Sequence, residues 1–311
     1  MENLFIQSTI LVISLGILIY FSDKLIDASV KLAKAYRISD AVIGLTLLAY
    51  GTSMPELTVS SISSIGLHPE LSISNVIGSN IANIALVIGL AAFVRPFSVK
   101  EKQLAKRDNY IMVASTLMLV SMFVLFQGIN RIAGFLMVLF VLGYTFYAIR
   151  HDRTHLNLKK DGSVSKLKET GIVLLCLLII VASGKFAVDS AVSVAKGLGV
   201  TEWVIGATVI AIGTTLPELA VSLTAAKKGF FGMSIGNIVG SNIFNILWVL
   251  GFASSLGTIA VDFNMIKVDS LILLFVTLLF AYQIIRVKFS RMTGILYMVI
   301  YVSYLAYLLA Y

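Results

Sequence analysis

Glu56 and Glu218 fall near the middle of long apolar stretches, each directly after a proline and a run of small and hydroxyl residues. The surrounding segments read "AYGTSMPELTVS" (49–60) and "AIGTTLPELAVS" (211–222). A carboxylate at mid-membrane depth costs at least about 2.5–3.5 kcal/mol and needs a partner. No basic side chain falls at their depth, and His68, His151 and His155 lie in loops or at their edges. Two such carboxylates call for a bound cation or for protonation. Pro55 and Pro217 lack an N–H and free the carbonyl four residues earlier, here Gly51 and Gly213. Freed oxygens are tolerated at that depth where they line a cavity or meet a partner. Each motif thus gathers a backbone carbonyl (Ala49, Ala211), hydroxyls (Thr52 and Ser53, Thr214 and Thr215) and one carboxylate. These are hard oxygen donors with no thiolate or imidazole beside them, a set suited to Ca2+ or Na+ rather than zinc or copper. The next apolar stretches carry "GSNIAN" and "GSNIFN". Ser79 and Asn83 lie four apart and share a helix face, as do Ser241 and Asn245, so these faces can complete a coordination shell. Asn80 and Asn242 point elsewhere, and helix–helix hydrogen bonding is an equal reading for them.

The elements that must hold these residues are membrane helices. Of 311 residues 58% are hydrophobic and 13% charged, with mean hydropathy +0.95, whereas a soluble domain carries about 25% charged residues. About 20 apolar residues make a span, and the chain offers ten such runs. They cover residues 3–22, 40–64, 72–94, 108–127, 132–149, 169–195, 202–225, 233–256, 268–286 and 292–310. Four prolines and no alternating ten-residue pattern argue against a β-barrel. The net charge of +8 is a topology signal rather than a sign of nucleic-acid binding. Nineteen of the 24 basic residues fall in alternate connections, which places those loops in the cytoplasm and both termini outside. "MENLFIQS" lacks a basic start and a cleavage site, so the first segment reads as a retained membrane helix. Cys176 stands alone in an apolar helix as packing, with no disulfide possible within the chain. Lys24 with Asp23 and Asp27, and Lys185 with Asp189, read as interfacial pairs at helix ends. Asp262 and Asp269 likewise fall at ends or in loops. Trp203, Tyr304, Tyr307 and Tyr311 read as an interface belt.

The chain is also internally duplicated. Adding 162 to a number in the first half reaches its match in the second: Gly44 and Gly206, Gly51 and Gly213, Pro55 and Pro217, Glu56 and Glu218, Ser60 and Ser222, Asn75 and Asn237, Ser79 and Ser241, Asn83 and Asn245. Of the 19 positions from 42 to 60, 12 are identical at this offset, and the glycine and polar positions match rather than aliphatics alone. Each half holds five spans, an odd number, so the halves must enter the membrane from opposite sides. That inverted arrangement belongs to secondary transporters, with the site at the midplane between repeats. The expected architecture is an all-α integral membrane protein of about ten helices. Residues 1–150 form the first five-helix repeat, 151–168 a cytoplasmic linker, and 169–311 the second, inverted repeat.

Residues 42–89 and 204–251 resemble the two α-repeats of the sodium/calcium exchangers, in the cation/Ca2+ exchanger superfamily. The motifs that carry the resemblance are "AYGTSMPE" with "NVIGSNIAN" and "AIGTTLPE" with "NIVGSNIFN". The resemblance implies that Glu56 and Glu218 are the central Ca2+ ligands, joined by Thr52 and Thr214. It also implies that Ala49, Ser53, Ser79, Asn83, Ala211, Thr215, Ser241 and Asn245 share in flanking Na+ sites, and that the first span of each half slides past a fixed core. Three positions depart from the family pattern. Thr215 stands where serine is common, Met54 where leucine is usual, and Asn245 where these exchangers commonly carry aspartate. With Asn83 and Asn245 neutral, the two glutamates leave a charge of −2, which balances one Ca2+, two Na+ or two protons. The central connection lacks the large regulatory insert of the animal exchangers, a prokaryotic plan.

The expected function is a Na+-coupled Ca2+ antiporter of the cell membrane working by alternating access. H+-coupled exchange of Ca2+ or a monovalent cation is the alternative, and an ion channel is a third reading. A membrane enzyme is disfavoured, since Ser53 has no His or Lys base at its depth. The expected partners are Ca2+, Na+ and membrane lipid, with no prosthetic group, nucleic acid or obligatory protein partner.

Overall fold

A computed structural model describes residues 2–65, 69–99, 104–152, 165–199, 211–286 and 288–310. Among these residues eight helices are long and apolar enough to cross a membrane, nine if one bent pair counts as a span. In chain order they begin with α1 (Glu2–Tyr36), the bent pair α2 (Asp40–Thr52) and α3 (Met54–Ile65), and α4 (Pro69–Val94). There follow α5 (Lys106–Phe126), α6 (Arg131–Asp152) and α7 (Lys166–Gly197). The rest are the short α8 (Ala211–Thr214), α9 (Leu216–Lys228), α10 (Phe231–Leu256), α11 (Phe263–Arg286) and α12 (Arg291–Ala310). The first part of the span expected at 202–225, with Trp203, lies outside the described residues. The chain is a multi-pass membrane protein, and its outer helices show why: Phe5, Val12, Phe126, Phe135 and Phe275 stand exposed, where only lipid suits them.

Burial separates an inner layer from an outer one. In α10 every residue from Gly232 to Asn245 is buried, and α4 is nearly as enclosed. These two helices are the core against which the motif helices pack. In both, the ordinary helix widens into a π-helical stretch, Asn83–Ile88 and Asn245–Leu250, 162 residues apart. Such widened turns recur at functional sites.

The offset of 162 reappears in contacts. Asn75 Nδ2 donates to Ser60 Oγ at 3.0 Å, and Asn237 Nδ2 donates to Ser222 Oγ at 2.9 Å, so each half ties its motif helix to its core helix by the same bond. Four two-residue strands, β1 (Phe97–Ser98), β2 (Gly128–Ile129), β3 (Ile259–Ala260) and β4 (Lys288–Phe289), pair antiparallel as β1 with β4 and β2 with β3. Each pair joins one half to the other. The first helices of the two halves, α1 and α7, run antiparallel along one another: Leu4 approaches Gly197 at one end, and Lys31 Nζ stands 3.8 Å from Glu169 Oε1 at the other.

Gly44, Gly236 and Gly240 form a seam of bare backbone between α2 and α10. A Cβ on Gly44 would strike the Met233 carbonyl, one on Gly236 the Ala41 carbonyl, and one on Gly240 the Leu45 carbonyl. Among the described residues, a Cβ on Gly78 of α4, the counterpart of Gly240, would meet nothing within 4 Å. Gly78 borders instead a cavity of about 380 Å3 that reaches Ser79 and Thr214.

Three expectations change. The first span was expected to end at residue 22, yet α1 continues to Tyr36 and carries Asp23, Lys24, Asp27, Lys31 and Lys34 on its last turns. Packing along α7 sustains it, and the acids are satisfied from another helix: Lys228 Nζ lies 2.8 Å from Asp23 Oδ1 and 2.7 Å from Asp27 Oδ1. The ion pairs therefore run to α9 rather than to the neighbouring Lys24. The span expected at 268–286 begins at Phe263, which carries Asp269 two turns into α11. Tyr304, expected at the interface, is buried at 6% exposure.

Candidate ion-binding site

The motif helices break where the prolines predict. α2 and α3 meet at a 45° bend. The residue between them, Ser53, has φ −83° and ψ 10°, and its counterpart Thr215, between α8 and α9, has φ −87° and ψ −2°. Two residues after each break the proline withholds its N–H, and the glutamate follows in the first turn of the new helix. A helix N-terminus favours negative charge, so α3 and α9 each present their positive end to their own carboxylate.

Glu56 and Glu218 are both 0% exposed. Ser53 Oγ donates to Glu218 Oε1 at 3.3 Å, a bond from the first motif to the carboxylate of the second. Thr52 also faces Glu218, and Glu56 lies near enough for each carboxylate to feel the other's charge. The Ser79 hydroxyl comes close to the Glu56 carboxylate without closing a hydrogen bond. Three of the four carboxylate oxygens, Glu56 Oε1 and Oε2 and Glu218 Oε2, have no hydrogen-bond partner. The Thr215 and Ser241 hydroxyls, the Asn83 amide and Asn245 Oδ1 are likewise buried and unpartnered. Left so, each buried charge costs several kcal/mol. Two neighbouring carboxylates with bare oxygens suit a hard cation. Among the described residues no group of three His, Cys, Asp or Glu is placed to hold a metal, so the neutral oxygens must supply most of any shell.

The sodium/calcium exchanger protein model matches residues 7–150 and 168–310. This chain belongs to the sodium/calcium exchanger family. An uncharacterized membrane protein of Methanocaldococcus jannaschii is 33% identical over 302 residues, covering 94% of this chain and 95% of its own. The sodium/calcium exchanger MaX1 of Methanosarcina acetivorans is 30% identical, covering 96% of this chain and 97% of its own. Among solved structures, the sodium-calcium exchanger NCX_Mj soaked with 10 mM Na+ and 10 mM Sr2+ superposes with a TM-score of 0.86 at 30% identity, over 97% of this chain and 98% of that one. These relatives are ion exchangers or membrane proteins without a stated enzymatic activity.

The residues singled out from sequence lie in the interior, and Thr52, Ser53 and Ser79 reach the two carboxylates. Thr52, Ser53, Glu56, Ser79, Asn83, Thr215, Glu218, Ser241 and Asn245 are all at most 2% exposed, and Thr214 lines the cavity beside Ser79. The two alanines differ from each other. The Ala49 carbonyl accepts from Ser53 N at 3.1 Å and Thr52 Oγ1 at 3.5 Å, whereas the Thr215 amide turns to the Ile212 carbonyl at 3.1 Å instead of to Ala211. Asn80 takes the helix–helix hydrogen-bonding role that its sequence position left as an equal reading. Asn245 Nδ2 donates to Asn80 Oδ1 at 3.0 Å, and Asn80 Nδ2 donates to the Asn242 carbonyl at 3.3 Å. Asn80 therefore couples the two core helices and fixes the Asn245 amide with its oxygen free. The repeated "GSN" carried that signal, because a strictly polar asparagine inside an enclosed helix must find a partner.

Proposed function

We propose that this chain is a Na+-coupled Ca2+ antiporter of the plasma membrane, built from two inverted five-helix repeats (1–150 and 169–311) joined by the cytoplasmic linker 151–168, with both termini outside. The observation that carries the reading is the pair of buried glutamates whose oxygens stand largely unpartnered among unpartnered hydroxyl and amide groups. Glu56 and Glu218 with Thr52 and Thr214 would take Ca2+. Ala49, Ser53, Ser79, Asn83, Ala211, Thr215, Ser241 and Asn245 would take Na+ on either side. Exchange follows from competition: the −2 site must be neutralised to be stable, either by one divalent ion or by monovalent ions, and each set displaces the other. MaX1 and NCX_Mj, named as exchangers of these ions, support the assignment.

Alternating access is supported by the broken symmetry. The glycine seam brings α2 directly onto α10, while among the described residues Gly78, the counterpart of Gly240, borders a cavity. Exchanging these two packings would move access from one side of the membrane to the other. A second reading, proton coupling, is favoured by the neutral Asn245, since two protons also neutralise the pair. Radiolabelled Ca2+ uptake into proteoliposomes tests the proposal. An outward Na+ gradient should stimulate uptake in the wild type and leave Glu56→Gln and Glu218→Gln inactive. Unstimulated uptake in the wild type would remove the Na+ coupling, and active glutamine variants would remove the site.

A further inference from the structure

The cavity that reaches Ser79 and Thr214 contains a third carboxylate that the paired motifs do not explain. Asp269 is the seventh residue of α11, about 9 Å along the helix from its start at 1.5 Å per residue. The 162-residue repeat gives it no role, because its counterpart in the first half is Arg107. Its carboxylate is set against the Tyr304 side chain from α12, and its Oδ1 is buried with no hydrogen-bond partner. Among the described residues lining the cavity there is no Lys, no Arg and no other acid; Ser63, Ser74, Asn75, Ser79, Thr214 and Tyr301 supply the remaining polar wall. Ser79 in turn lies against the unpartnered Glu56 carboxylate. Lys267, two residues earlier, is exposed, and residues two apart on a helix do not share a face. A charged residue at this depth is functional by default, and a lone negative charge between low-dielectric walls concentrates cations around it.

We propose that Asp269 is an outer cation-binding site, a staging carboxylate that holds a hydrated Ca2+ or Na+ in the cavity before the ion passes Ser79 to reach Glu56. Tyr304 orients the carboxylate and leaves Oδ1 turned to the ion. The inference rests on the transport reading above and adds a step to it: capture at Asp269 sets how dilute an ion can be and still load the exchanger, while the glutamates set whether it is carried.

The test is the concentration dependence of exchange in proteoliposomes for wild type, Asp269→Asn and Tyr304→Phe, with external Ca2+ and external Na+ titrated separately. Asparagine keeps the size and hydrogen bonding of aspartate and removes only its charge. For an ion about 7 Å from the carboxylate in a water-like dielectric, losing that charge raises half-saturating Na+ about threefold and half-saturating Ca2+ about eightfold. The Ca2+ factor is near the square of the Na+ factor because the attraction scales with ionic charge. Maximal rate should stay at the wild-type level, and Tyr304→Phe, which keeps the charge, should stay within about twofold of wild type on both titrations. Asp269→Ser offers the same neutralisation if the asparagine variant fails to reach the membrane. Wild-type transport with unchanged half-saturation in the neutralised variant would overturn the inference and leave the antiporter reading intact. A fall in maximal rate at unchanged half-saturation would overturn it too, marking Asp269 as a structural residue. A wild type that carries no Ca2+ would refute the transport reading and this inference with it.

Discussion

Replacing Gly240 by alanine, and separately Gly78, separates the two packings on which the proposed alternating access depends. These residues are counterparts at the offset of 162, yet their surroundings differ. A Cβ at Gly240 would collide with the Leu45 carbonyl and come within 2.7 Å of the Ala49 Cβ, whereas one at Gly78 meets nothing within 4 Å among the described residues. The atoms in the way at Gly240 are mostly backbone, so the seam must open to admit the methyl group. Overpacking of this kind costs about 1–3 kcal/mol. The gain in helix propensity from glycine to alanine, about 1 kcal/mol, accompanies both conformations and cancels. Gly240→Ala should therefore shift the equilibrium against the conformation described here by about 5- to 150-fold. Gly78→Ala should leave it unpenalised and disfavour the opposite one. The readout is labelling of Ser74→Cys, on the cavity wall, by a membrane-impermeant maleimide. Cys176, the one native cysteine, is buried and is replaced by serine. Labelling should slow in Gly240→Ala and stay fast in Gly78→Ala. Equal labelling in the two variants, or slowing in Gly78→Ala alone, would refute the idea that the seam is one of two exchangeable gates.

Other consequences follow from the same packing. Glu218→Gln removes a buried charge and should raise the melting temperature of the cation-free protein while abolishing Ca2+ transport; a lowered melting point would contradict the account of strain at the site. Lys228→Gln breaks the partly exposed pairs to Asp23 and Asp27, so it should cost about 0.5–1 kcal/mol, fading at high salt, visible as a small melting shift at low ionic strength. Asn245→Asp adds a third charge to the site. It should steepen the Na+ dependence of Ca2+ efflux by making room for a further monovalent ion, and an unchanged Hill coefficient would argue against charge-limited loading.

Much of the site was legible because its chemistry is local. A proline, a glycine and hydroxyls placed before a glutamate specify a break, a free carbonyl and a charge within eight residues, and duplication repeats the statement. The structure returns both breaks, at Ser53 and Thr215, where the prolines require them. What sequence alone did not yield depends on partners far along the chain. Asp23 and Asp27 looked like the end of a helix because hydropathy falls there. Only Lys228, about two hundred residues on, and the antiparallel α7 explain why α1 continues. Asp269 was read as a helix end for the same reason, since its neighbours Lys267 and Asp262 lower the local hydropathy while Tyr304, 35 residues later, gives it a wall to stand against. The π-helical turns at Asn83 and Asn245 had no signal in side-chain periodicity. The Asn80–Asn245 bond joins two residues whose relation is set by the packing of α4 on α10, which no spacing along one helix reveals.

The central claim is that two buried carboxylates exchange Ca2+ against Na+. It is tested most directly by the reversal point of Ca2+ flux in proteoliposomes holding fixed Ca2+, Na+ and H+ gradients. The account predicts that the reversal point moves with the Na+ ratio and stays in place when only the pH gradient is changed. A reversal point that follows the pH gradient and ignores Na+ would contradict it.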